Sequence, residues 1–532
     1  LINSERHSWP FGMRWGSLYY KVGIPILHSE GNYIVYIFMN RRRNCYNGMI
    51  GFMFIVAILF FFSCQDDSVA VNQPDVLKPS DIPGYEKYYK PSEFAMMDMF
   101  SRDAKWSFYR HKQSEHFIVF WEVGFGKDPN AKSVSESMRV DVDDLLAKAE
   151  QFYLTNIETL KFAEVGQGKS YLDRYKMQIY LFYQEEWLAT GSGYDDVIGA
   201  LWINPSTCKP VGSTIAHEIG HSFQYQVYCD KLLNGAAKDF HQGFRYGFGP
   251  NGEGGNGFWE QCAQWQSLQT YPQELFGYHV DVWKANYHRH FNHEWMRYAS
   301  YWLPYYWTQK HGVSVLGEIW KQSKYPEDPL MTYQRLYCKG KVATLYEELY
   351  DYATRMTTYD IDIVRKYVTE SAKKYSTKLY ASDGYYQVGY SSCPGSTGFN
   401  VISLDVPEAG STVKVDFKGL DTGTSLASED PGIIVNADGK KVGVATNYNR
   451  NNTAAGWRYG FVAVVNGVAQ YAPMYQDKEG VVSYIILEGT DKLFFVVMGA
   501  PEQYISHAWN EDETDDAQCP YKVKFEGTDL LN

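Results

Sequence analysis

The sequence predicts an α+β protein, in which a mixed, helix-rich region is followed by an all-β region. Three observations carry that prediction. Between residues 116 and 228, strand-like runs alternate with stretches of helical periodicity. Residues 257–375 read as helical and aromatic-rich, with no internal repeat. From about residue 395 the chain turns into short β-prone runs divided by turn signals. A length of 532 residues exceeds one ordinary domain. The composition shifts place the divisions at 1–38 (sequence upstream of a start at Met39), 39–64 (a leader), 65–82 (a linker), 83–385 (the mixed domain) and 386–532 (the β domain).

In chain order, the first expected elements are a strand at 116–123 and an amphipathic helix at 140–162. In that helix Val142, Leu145, Leu146, Ala149, Phe152 and Leu160 recur near helical spacing. A strand at 177–183 follows, with Met177, Ile179 and Leu181 alternating against Gln178, Tyr180 and Phe182, and another at 199–204. The apolar run 211–228 reads as a buried helix. Seven glycines between Gly243 and Gly257 cannot hold a regular element and form a long loop; no phosphate-cradling pattern is present. A further helix takes Asn256 as N-cap and Pro272 as stop. Beyond 395, strands are expected at 401–404, 413–417, 433–435, 460–465, 482–487, 493–498 and 523–525. Glu408-Ala409-Gly410, Ala437-Asp438-Gly439 and Asn466-Gly467 supply turns between them. That spacing predicts a β-sandwich of about 135 residues, of a kind that binds sugar or docks against its neighbour.

The chemistry concentrates in His217-Glu218-Ile219-Gly220-His221, an HExxH motif inside the apolar helix. Residues four apart on a helix lie about 40° apart around the axis, so both imidazoles leave from one face. Two neutral imidazoles at that spacing suit two corners of a tetrahedral zinc site. Glu218, next to the first ligand, is placed to act as general base toward a water. Ile215, Ala216, Ile219, Gly220 and Phe223 keep charge away from the helix. The bland alternative is a buried helix with two hydrogen-bonded core histidines.

A catalytic zinc site needs a third protein ligand. HExxHxxGxxH is excluded, because Gln224 and Val227 stand at its Gly and third His positions. Phe258-Trp259-Glu260-Gln261-Cys262-Ala263-Gln264-Trp265 places Glu260 early on the next helix, 39 residues after His221. Glu253 and His241 are rivals. This arrangement resembles the gluzincins, zincin metallopeptidases in which a glutamate on a second helix completes the site. In many of those a carboxylate four residues after the glutamate buttresses a zinc histidine; Gln264 stands there instead. The string from Gly212 to Gln224 resembles the active helix of enhancin-like, mucin-directed gluzincins. Together with Phe258-Trp259-Glu260 it resembles an uncharacterised family of Bacteroidetes secreted proteins, over roughly residues 190–310.

The resemblance implies a zincin-like metallopeptidase domain over 83–385, with Zn2+ as cofactor and His217, His221 and Glu260 as metal ligands. It implies Glu218 as general base, and an oxyanion-stabilising side chain, for which Tyr298 is the first choice and His293 the second. It also implies that a short edge strand pairs with substrate backbone, and Ala200-Leu201-Trp202-Ile203 is the expected edge. The expected substrate is an extracellular protein or glycoprotein. Two other readings stay open: a surface lipoprotein whose catalytically silent zincin scaffold binds peptide or glycan, and a zinc hydrolase of non-peptide bonds.

Residues 39–64 combine a basic stretch, Met39-Asn40-Arg41-Arg42-Arg43, with an apolar run at 50–62 ending in Ser63-Cys64. This resembles a bacterial lipoprotein signal with Cys64 as the lipidated residue. Gln65-Asp66-Asp67 resembles the acidic export signal of surface lipoproteins in Bacteroidetes-type bacteria. The expectation is an outer-membrane or cell-surface lipoprotein, held to the membrane only by lipid at Cys64. Thirteen apolar residues are short for a span that needs about 20. The net charge of −12, with no basic stripe after the leader, argues against nucleic acid as a partner. Forty-five Tyr, 29 Phe and 15 Trp suit an extracellular surface that stacks on sugars or peptide side chains. Cys208, Cys229, Cys262, Cys338, Cys393 and Cys519 remain after the leader and form no dense framework; Cys393 and Cys519 bracket the β domain and are placed to pair.

Overall fold

A computed structural model describes residues 76–236, 244, 257–421, 424–427, 433–435, 441–444, 454–507 and 516–531. These belong to one compact unit, Val76–Asn532. The leader, Cys64, His241, Glu253 and Asn256 lie outside the described residues.

The first sheet contains β1 (His111–Gln113), β2 (Phe117–Trp121), β3 (Met177–Leu181), β4 (Ala189–Tyr194) and β5 (Ile198–Ile203), in the order β1-β2-β3-β5-β4. β2, β3 and β5 run parallel, and β1 and β4 are antiparallel edges. Every residue of β2 and β3 is buried, as expected of central strands covered on both faces. Phe117, Val119, Met177 and Ile179 face the helices, while Ile118, Phe120 and Tyr180 face a cluster with Phe94, Trp106 and Phe108. The stretch expected to be the substrate-facing edge, Ala200-Leu201-Trp202-Ile203, is interior, between β3 and β4. The edge is β4, a strand with glycines at 191 and 193.

α1 (Val142–Leu154) begins at Asp141, whose carboxylate caps the amides of Asp143 and Asp144. The expected helix to 162 stops earlier, running into a π-turn at Thr155–Thr159. There the buried Asn156 side chain donates to the Phe152 carbonyl, competing with the regular ladder. α2 (Ser213–Leu233) carries the HExxH motif and is buried from Ile215 through Cys229. It lies hard against β4 and β5 because glycines face it. A Cβ at Gly191 would stand 2.0 Å from the Glu218 carbonyl oxygen, and one at Gly199 2.9 Å from that of Ser222.

α3 (Gly257–Leu268) packs on α2, and α4 (His279–Asn286), α5 (Trp302–His311), α6 (Val315–Gln322), α7 (Pro329–Tyr337), α8 (Val342–Met356) and α9 (Asp362–Arg365) complete the helical layer. The C-terminal region contains β6 (Leu379–Ser382), β7 (Tyr385–Val388), β8 (Phe399–Leu404), β9 (Thr412–Gly419), β10 (Ile433–Val435), β11 (Lys441–Val444), β12 (Trp457–Val465), β13 (Val468–Tyr471), β14 (Glu479–Ile485), β15 (Thr490–Gly499) and β16 (Tyr521–Glu526). All seven expected strands are found. Two antiparallel sheets, β13-β12-β15-β8 and β14-β9-β16-β7-β6, face each other, and β10 pairs with β11. The β12–β13 turn is the Asn466-Gly467 pair, both residues at positive φ, the backbone twist that a two-residue hairpin needs.

Strand alternation divides the core. Phe461, Phe495 and Val497 point between the two sheets, whereas Val462, Val464, Phe494, Val496 and Met498 join the helical core on the other face. Each such side chain, fully buried, stabilises the fold by ~1.5–3 kcal/mol relative to exposure. β12 and β15 pack on α8. Cys393 and Cys519 are both buried and carry free thiols.

Candidate metal centre

Four residues apart on α2, His217 and His221 project together, their rings 4.6 Å apart and nearly perpendicular. α3 delivers Glu260 from its first turn. One carboxylate oxygen, Glu260 Oε2, lies 2.9 Å from His217 Nε2 and 3.0 Å from His221 Nε2. The opposite ring nitrogens face amide oxygens: His217 Nδ1 is 3.0 Å from Gln264 Oε1, and His221 Nδ1 is 3.0 Å from Gln224 Oε1. An amide oxygen only accepts, so with the amides in these orientations each Nδ1 carries its proton and each Nε2 of a neutral ring presents a lone pair. Two lone pairs and a carboxylate oxygen then converge on one position, and only a proton or a cation resolves their repulsion. Two imidazoles and one carboxylate, with ligand atoms all within 4.8 Å of one another, are a donor set that suits zinc with one position open. The residues present fit the metal.

The local electrostatics agree. Burial disfavours a charge on His221, but the Glu260 carboxylate overrides it and pushes the imidazole up to about 9. Burial acts against ionised Glu260 as well, yet the two histidines hold its carboxyl well below the usual range. Glu218 is buried, and that burial raises its carboxyl above the ordinary value against the pull of His217 and His221. A raised carboxyl is what a general base requires if it is also to release the proton again.

Tyr298 reaches the site: its hydroxyl donates to Glu260 Oε1 at 3.2 Å, and its ring lies 6.0 Å from that of His217. With 39% exposure it borders open solvent. His279, at the start of α4, stacks on Tyr298 at 6.2 Å; burial, then His217, lowers its pKa. Sequence reading missed His279, since no motif links a helix-initial histidine to a site 58 residues earlier.

His293 is not brought to this centre. It forms a second group with His507 and Asp516, in which both imidazoles lie against carboxylates as an ion-pair network. His293 Nδ1 accepts from the Trp295 amide at 3.2 Å, while its Nε2 faces both Asp516 Oδ2 and the Arg289 guanidinium, each at 3.2 Å. His507 lies between two carboxylates, Nε2 2.6 Å from Glu294 and Nδ1 3.0 Å from Asp516. Burial disfavours its charge, but Asp516 and Glu294 push it up to about 10. An imidazolium there would be hydrogen-bonded to Glu294 and within ion-pair distance of Asp516, whose Oδ1 makes no hydrogen bond among the described residues.

No curated protein and no solved structure matches the chain. Residues 81–532, which take in both the metal-ligand cluster and the two sheets of the C-terminal region, match a family described as a family of unknown function (DUF6055), and the chain belongs to that family.

Proposed function

We propose that this protein is a zinc-dependent metallopeptidase of gluzincin type, hydrolysing peptide bonds of extracellular proteins or glycoproteins. The observation that supports this most is the convergence of His217 Nε2, His221 Nε2 and Glu260 Oε2 on one position, beside the buried Glu218. His217, His221 and Glu260 would hold the zinc. When bound, zinc supplies Lewis acidity to the scissile carbonyl and to a water. Glu218 takes the proton of the attacking water and returns it to the leaving amine. Tyr298, its hydroxyl already turned into the site, donates to the developing oxyanion. The edge strand β4 offers its outer backbone groups to an extended peptide, while Gly191 seats that strand directly on the turn of α2 bearing Glu218.

The lipoprotein leader ending at Cys64 would place the activity at the cell surface. No helix among the described residues is long and apolar enough to cross a membrane. A second reading, a binding protein on a silent zincin scaffold, is favoured by Gln264 standing where many gluzincins have a carboxylate. Elemental mass spectrometry with peptide-library cleavage separates the two. The peptidase reading expects about one zinc per chain, and turnover reduced at least ~100-fold in Glu218→Gln with zinc retained. Zinc without any turnover in the wild type favours the binding protein, and absence of zinc from the wild type, even after reconstitution, refutes the peptidase reading and leaves the binding scaffold.

A further inference from the structure

Behind His221 runs a chain of buried amides. Gln224 accepts from His221 Nδ1 and, through its own nitrogen, donates to the Trp259 carbonyl and to Gln266 Oε1, each at 3.0 Å. Gln266 donates to Asn156 Oδ1 at 2.6 Å, and Asn156 donates to the Phe152 carbonyl at 2.9 Å. Both ends of the chain, Phe152 and Trp259, are backbone carbonyls, which accept and never donate. The direction of every proton between them is therefore fixed, and with it the face that Gln224 turns to His221. Gln224, Gln266 and Asn156 are buried, so solvent does not substitute for a lost partner. The geometry of the chain explains two local features. The π-turn at Thr155–Thr159 brings Asn156 inward from α1, and Gly220 stays bare where a Cβ would meet Gln266 Oε1 at 3.1 Å.

We propose that this amide relay, from the π-turn after α1 through Asn156, Gln266 and Gln224, is a positioning device that fixes His221 as its Nδ1–H tautomer and aims its Nε2 at the metal position. The proposal rests on the zinc reading of His217, His221 and Glu260. His217 is served differently. Gln264 accepts from it at Oε1, but among the described residues its nitrogen makes no hydrogen bond that fixes its orientation. A carboxylate is therefore compatible with position 264 and incompatible with 224, where it would face the Trp259 carbonyl and Gln266 Oε1 without a proton to give either.

Zinc affinity of the purified full chain, by chelator competition, tests this. Gln224→Met and Gln224→Glu are each expected to weaken zinc about 10–100-fold, and Gln266→Met to weaken it less. Gln264→Glu is expected to bind at least as tightly as wild type. The cobalt(II)-substituted absorption spectrum should change in the Gln224 variants, where the His221 donor moves, and stay unchanged in Gln264→Glu. Melting in EDTA reports folding, and Gln266→Met decides the matter if a substitution at 224 fails to fold. Wild-type affinity in Gln224→Met, Gln224→Glu or Gln266→Met overturns the relay while leaving the metal centre standing. A wild type that binds no zinc overturns the metal reading, and the relay with it.

Discussion

His507→Gln separates the ion-pair network from the candidate metal centre. His507 lies between Glu294 and Asp516, whose side chains are only 3% and 16% exposed. Removing the imidazolium leaves two poorly hydrated carboxylates facing a neutral amide. Breaking a buried charge set from one side costs ~3–5 kcal/mol, and two acids against one lost cation place this variant toward the upper end. The cost depends on pH with a definite sign. The folded pKa of about 10 stands above the ordinary 6.5, so the stabilisation is fully present below pH 6.5 and is lost as pH rises through about 10. Urea unfolding of wild type and variant should therefore differ by ~3–5 kcal/mol near pH 6, and by under ~1 kcal/mol above pH 10. Zinc content should not change. An equal cost at both pH values would refute the imidazolium assignment, and loss of zinc in the variant would refute the assignment of the metal to the other cluster.

The other predictions concern the centre itself. Glu260→Gln keeps a group that can donate to the histidine nitrogens but removes the anionic ligand; it should fold and lose zinc, and with it the thermal protection that zinc gives the wild type, ~2.7 kcal/mol at a hundredfold excess over Kd. Calorimetry with and without EDTA reads this, and a zinc-dependent shift surviving in the variant would contradict Glu260 as ligand. Gly191→Ala places a methyl 2.0 Å from the Glu218 carbonyl, so β4 must move. A loss of ~1–3 kcal/mol with a raised KM is expected, and an unchanged variant would argue against the close seating. Tyr298→Phe should lower kcat by ~100-fold with zinc retained; equal kcat would remove Tyr298 from the oxyanion role.

Much of the candidate site was legible in the sequence because it depends on spacing within one helix. Four-residue separation brings His217 and His221 together whatever the rest of the chain does, and Glu260 opens the helix that follows. Tyr298 and His293 lie in the same aromatic run, and nothing local distinguishes them; tertiary packing turns one to Glu260 and the other to Asp516. The amides behind His221 were invisible for the same reason, since Asn156 meets Gln266 across 110 residues. β4 escaped notice because a strand that must lie on a helix backbone uses glycine, the residue that least resembles a strand. The end of α1 was misjudged because the apolar period continues to Leu160 while Asn156 diverts the hydrogen bonds. The sandwich strands were legible as apolar runs, and the five-residue run Phe494–Met498 lacks alternation because both of its faces are covered.

That doubly covered sheet has a consequence for the history and handling of the chain. A module that recombines freely between proteins presents a polar skin when cut away, and the C-terminal half of this one does not. Severed near residue 385, it would bare Val462, Val464, Phe494, Val496 and Met498 on one side, and the helices would bare their matching surface on the other. Each fragment would then carry an adhesive apolar face and aggregate. The two halves are thus expected to be expressed and degraded together, and a search for the sandwich as a portable module on other proteins should return it only with its helical partner.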